Sequence, residues 1–74
     1  MNIINGLKNN YEINIHNNTI HIILYKKIVD ISYNSITIEF NDFSIVIKGE
    51  KLLINKLNKD ELSIQGIIKG IIFN

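Results

Sequence analysis

Apolar and polar residues alternate along this chain, and the alternation restarts after a short polar break roughly every 8–12 residues. The apolar members are Tyr11-Ile13-Ile15, Ile20-Ile22-Leu24, Ile36-Ile38-Phe40, Phe43-Ile45-Ile47, Leu52-Ile54 and Leu62-Ile64. A period of two places each set on one face of a pleated strand. The pattern predicts an all-β chain: a small antiparallel sheet or β-roll of seven to eight short hairpin-linked strands.

The turns support specific registers. Asn17-Asn18 suits a two-residue hairpin turn, because asparagine tolerates positive φ. That turn sets Ile15 opposite Ile20, Ile13 opposite Ile22 and Tyr11 opposite Leu24, all on one face. Asn41-Asp42 closes a second hairpin, with Phe40 opposite Phe43 and Ile38 opposite Ile45. Between the hairpins, Lys26-Lys27 is a polar break, and residues 28–33 read as a strand with Val29, Ile31 and Tyr33 on one side. Gly49-Glu50 reads as a further turn, and Gly66 and Gly70 mark bulges or bends in the last extended stretch. No stretch reads as a helix. Residues 67–72 combine β-branched side chains with a glycine, both unfavourable there. Residues 1–10 lack periodicity and read as a flexible lead-in to one domain over residues 11–74.

The positions that alternate with the core set are less polar than a sheet facing water requires. Ile23, Val46, Leu53, Ile67 and Ile72 all fall there. A curled or two-layer sheet would bury part of this surface within one chain. Self-association through it would do so between chains, and a homodimer using these five residues is the expectation. Length favours it: the chain has 74 residues, and a domain this small buries only about 60% of the surface its unfolded form exposes. It contains no cysteine, which removes disulfides and thiolate metal sites as sources of stability.

Charge narrows the partners. Eight lysines, no arginine and seven acids leave a formal charge of +1, which gives no electrostatic case for nucleic acid or an anionic membrane. No apolar run exceeds four residues, against about 20 for a spanning helix, and the first residues lack the pattern of a signal peptide. A cytoplasmic protein is expected. Nineteen isoleucines and twelve asparagines are the bias of an AT-rich genome.

Candidate chemistry is sparse. His16 and His21 flank the first turn on its outer face, and Glu12 could join them around a metal, but no fourth ligand offers itself. Asp60-Glu61 sits in a polar turn, where paired carboxylates stay solvated. Lys48-Gly49-Glu50-Lys51 lacks the second glycine and Lys-Ser/Thr pair of a phosphate loop. No catalytic, cofactor or metal residues are therefore assigned, and neither an enzyme nor a small-molecule substrate is expected. Tyr25, beside Lys26-Lys27, is the aromatic free to stack on a base. It leaves a small Sm-like or OB-type nucleic-acid-binding barrel as the alternative.

From Ile20 onward the chain resembles the YabP/YqfC family of sporulation proteins of endospore-forming Firmicutes. One match runs from Phe43 to Leu57: alternating apolar residues, Lys48-Gly49, two polar positions, then Leu52-x-Ile54-x-x-Leu57. A second runs from Leu62 to Phe73, with Gly66-x-Ile68 and a closing aromatic. Ser32 and Ile36 resemble the family's serine and polar turn before an Ile-x-apolar strand. The short loop at Asp60-Glu61 and the stretch Ile28-Val29-Asp30 are closer to the YqfC side. Lys27 and Asn41-Asp42 stand where the family usually has glycines, and Ile31 where an aromatic is common. The resemblance implies a non-enzymatic protein of the mother cell that acts by protein–protein contact beside a membrane-embedded sporulation protein.

Overall fold

The computed structural model describes residues 11–74. The lead-in assigned to residues 1–10 lies outside the described residues. Six strands form: β1 (Glu12–His16), β2 (Thr19–Ile23), β3 (Lys27–Ile31), β4 (Ser35–Glu39), β5 (Ser44–Leu57) and β6 (Glu61–Phe73). They build one antiparallel sheet in the order β1-β2-β6-β5-β4-β3. No helix occurs among the described residues.

The two short hairpins adopt their expected registers. Ile13 pairs with Ile22 and Ile15 with Ile20 around Asn17, whose φ is 56°. Ile38 pairs with Ile45, and the rings of Phe40 and Phe43 stack at 4.7 Å. Tyr11 and Leu24 drop out of the ladder. Leu24 turns at φ 62° and donates its N–H to the Asp60 carbonyl at 2.7 Å.

Two expectations are corrected. Gly49-Glu50 does not reverse the chain: β5 runs through it, so the seven to eight strands become six. The ladder between β5 and β6 instead slips at Lys48/Gly49, at Glu50/Leu53 and at Ile54/Lys56. Such bulges bend a strand without ending it. Lys51, at φ 54°, takes up part of the bend. In β3, Val29 is bulged out of the ladder, so Ile28 pairs with Ile38 and Ile31 with Ile36. Val29, Ile31 and Tyr33 thus do not share one side, and Ile28 packs against the core instead.

The bend folds the sheet onto itself. One layer holds β1, β2, residues 61–65 of β6 and residues 53–57 of β5. The other holds β3, β4, residues 44–48 of β5 and residues 70–73 of β6. Ile20, Ile22, Leu62 and Ile64 of the first layer and Ile36, Ile38, Ile45 and Ile47 of the second are fully buried in a single cluster. A flat sheet would leave such a face wet; here each layer covers the other. Tyr11, just before β1, lies edge-on to Phe40 and Phe43 at 5.4 and 5.1 Å, which brings the far ends of the ribbon together. Burying each such aliphatic side chain stabilises the fold by about 1.5–3 kcal/mol, so these eight dominate its stability.

The layers repeat one another. The row Ile15–Ile20–Ile64–Ile54 corresponds to Ile31–Ile36–Ile47–Ile71, and Ile13–Ile22–Leu62–Leu57 to Ile28–Ile38–Ile45–Phe73. Gly49 and Gly66 correspond at the bend. The first donates its N–H to the Asn34 carbonyl at 3.0 Å, the second to the Asn18 carbonyl at 3.1 Å, each carbonyl lying in the turn of its layer's hairpin. An added Cβ at Gly49 would lie 2.1 Å from the Ile67 carbonyl oxygen. At Gly66, φ is +145° and the Lys51 oxygen would lie 2.7 Å away. Both positions therefore require glycine.

Candidate protein interface

The five residues expected to form an interface fall in three places. Val46 and Ile72 are cross-strand partners on the outer side of the second layer, next to Thr37. Ile23 is half-buried on the outer side of the first layer, between Glu12 and Glu61. Leu53 and Ile67 are exposed at the bend, where they line a shallow depression with Asn18, Lys51 and Gln65. Leu53 also joins Ile31 and Tyr33 along a neighbouring groove floored by Leu52 and Ile54.

Sequence reasoning missed Tyr33. Read from the pattern as a strand residue beside Val29 and Ile31, it instead lies in the turn beyond the end of β3 and is 76% exposed. Tyr25, the aromatic expected to be free, is half-buried against the core and donates its hydroxyl to the Asn58 carbonyl at 3.0 Å.

The polar surface of the first layer centres on Glu61. His21 Nε2 donates to its Oε2 at 2.9 Å, Asn58 Nδ2 to its Oε1 at 3.3 Å, and Lys56 Nζ lies 3.4 Å from Oε1. The hydrogen bond from Lys56, then those from His21 and Asn58, then the lysine's charge hold the Glu61 carboxyl below its ordinary value; desolvation works the other way. Its partner His21 is 40 residues away in sequence, so the turn alone gave no sign of this cluster. His21 is thereby engaged away from His16, and no three metal-ligating side chains converge among the described residues. Glu12 accepts a hydrogen bond from the Asn14 amide.

The chain is thus a small all-β module, one antiparallel sheet doubled over, with exposed apolar residues at the bend, Leu53 and Ile67, and on the outer side of the second layer, Ile72. No helix among the described residues is long and apolar enough to cross a membrane. The model of the YabP family matches residues 7–74, and the chain belongs to that family, which relates it to sporulation. The match covers both glycines of the bend. No curated protein and no solved structure matches the chain.

Proposed function

We propose that this chain is a non-enzymatic sporulation protein that works by protein–protein contact in the mother-cell cytoplasm of an endospore-forming bacterium. Its contacts are with a second copy of itself and with a membrane-embedded sporulation protein, which would hold it at a membrane surface. Family membership over residues 7–74 carries this reading. The exposed apolar side chains Leu53, Ile67, Ile72 and Tyr33 support it, since a domain this small seldom leaves such groups to water without a use for them. The short connection from Asn58 to Asp60 favours the YqfC side of the family. Deleting the gene in its own host and counting heat-resistant spores tests the role: a sharp fall, with vegetative growth unchanged, is expected. Normal spore counts would overturn it. Leu53→Lys should restore little of the lost sporulation if the bend is a contact surface.

A further inference from the structure

We propose that the free edge of β1 is a self-pairing edge, where two copies of the chain join β1 to β1 antiparallel about a two-fold axis at Asn14. The proposal deepens the self-association reading above and rests on it. Four strand edges have no paired neighbour among the described residues: β1, β3, residues 53–57 and residues 70–73. Three of them are blunted. Val29 bulges from β3, which also carries Lys27 and Asp30; the ladder slips at Asn55 within 53–57, and at Lys69 just before 70–73. Bulges and charges are how sheets protect an edge from another chain. β1 has no slip anywhere along its ladder, no lysine and no proline. It also leaves the core-side residue Ile15 56% exposed.

The backbone fixes which groups are free. His16 and Thr19 close a two-residue hairpin, so they form a hydrogen-bonded pair, and the pattern alternates from there. Glu12, Asn14 and His16 therefore point their N–H and C=O groups at β2. Ile13 and Ile15 point theirs outward. The neighbouring ladder agrees: the Asn18 carbonyl and the Leu24 N–H, on the even side of β2, both bond to the β6 side. An incoming antiparallel strand must place its own free groups opposite Ile13 and Ile15. A second β1 does this in three registers. Centring on Ile13 sets Glu12 opposite Asn14 of the second copy, and centring on Ile15 sets Asn14 opposite His16. Centring on Asn14 sets Glu12 opposite His16 twice, Ile13 opposite Ile15 twice, and the two Asn14 amides face to face. That register alone pairs an acid with a histidine, and it continues the buried isoleucine rows across the axis.

The chain has no cysteine of its own, so Asn14→Cys introduces a single thiol. In the Asn14-centred register it is a non-hydrogen-bonded pair with Cα atoms about 4.5 Å apart, within disulfide reach. Mild oxidation should give near-complete covalent dimer, while Asp30→Cys on β3 should stay largely monomeric. In sedimentation equilibrium, Glu12→Lys or His16→Glu alone should raise the dimer Kd roughly tenfold, since each change alters two symmetric pairs. The double exchange should restore it. A wild-type dimer unaffected by these charge changes, with no Asn14→Cys cross-link, would overturn the β1 edge and leave self-association standing. A wild-type monomer at hundreds of micromolar would overturn both. A monomer with Ile13 and Ile15 amides protected from exchange would place another part of the same chain on this edge, and would also overturn the proposal.

Discussion

The two layers are built to one plan and finished differently. Each has a short hairpin on the outside, a buried isoleucine pair at its centre, and a glycine at the bend whose N–H is held by that hairpin's turn. The first layer ends in a straight edge, β1, and carries a charged cluster around Glu61 on its back. The second ends in a bulged edge, β3, and at the place of Glu61 has Ser44, tied only through backbone bonds to Asn74 at 2.8 and 3.2 Å. The shared features hold the fold together. The unshared ones decide which side of the molecule meets other molecules and how it responds to acid.

The bend is where the likeness is strictest and where substitution should cost most. Gly49→Ala drives a methyl into backbone, and Gly66→Ala adds both a clash and a disfavoured φ. Each should lower stability by on the order of 4 kcal/mol or more, seen as loss of the cooperative urea transition. Gly70→Ala meets nothing within 4 Å and should change the midpoint little, or raise it slightly by removing a flexible strand residue. Equal sensitivity at all three would break the correspondence between Gly49 and Gly66.

Ile20→Ala and Ile36→Ala occupy matching, fully buried sites in opposite layers. Each should cost about 2–5 kcal/mol by leaving a cavity, and the two losses should agree within about 1 kcal/mol. If one costs several times the other, the layers do not share the core evenly.

The smallest effect separates the layers. A carboxyl held below its ordinary value stabilises the fold above the unfolded-state value, and that contribution is lost as pH falls through the lowered one. For Glu61 the ordinary value is 4.5, so the loss falls below that pH. Glu61→Gln should lower Tm modestly at pH 7 and make no difference at pH 3. Amide exchange at His21 and Ser63, in the first layer, should quicken on acidification before that at Val46 and Thr37, in the second. Simultaneous acceleration would remove the asymmetry.

Sequence reasoning reached the hairpins because their determinants are local: two polar residues in a turn, and strict alternation on either side. Ile13, Ile22, Ile38 and Ile45 found their partners for that reason. It failed where one extra residue shifts the parity. At Val29 the shift exchanged Ile28 for Val29 on the core side, and β3 ends at Ile31, which leaves Tyr33 exposed in the turn that follows. At Gly49 a glycine followed by a polar pair looks the same whether the chain reverses or only bends, and the partner that decides it, Ile67–Ile68 on β6, lies far along the chain. The outward residues Val46, Leu53, Ile67 and Ile72 were legible as outward by the same alternation. Which of them stand together was not, because the bend sets that. The Glu61 cluster needed β2 and β6 side by side, which no short window of sequence contains.

The position of β6 between β2 and β5 bears on how the protein is made. The last of the six strands in chain order supplies an inner member of one layer and an edge of the other. Until it leaves the ribosome, the β1–β2 hairpin has no neighbour, and a lone two-stranded hairpin is marginally stable in water. The nascent chain therefore cannot complete either half early, and folding must wait for pairings of long sequence separation, which are slow to form.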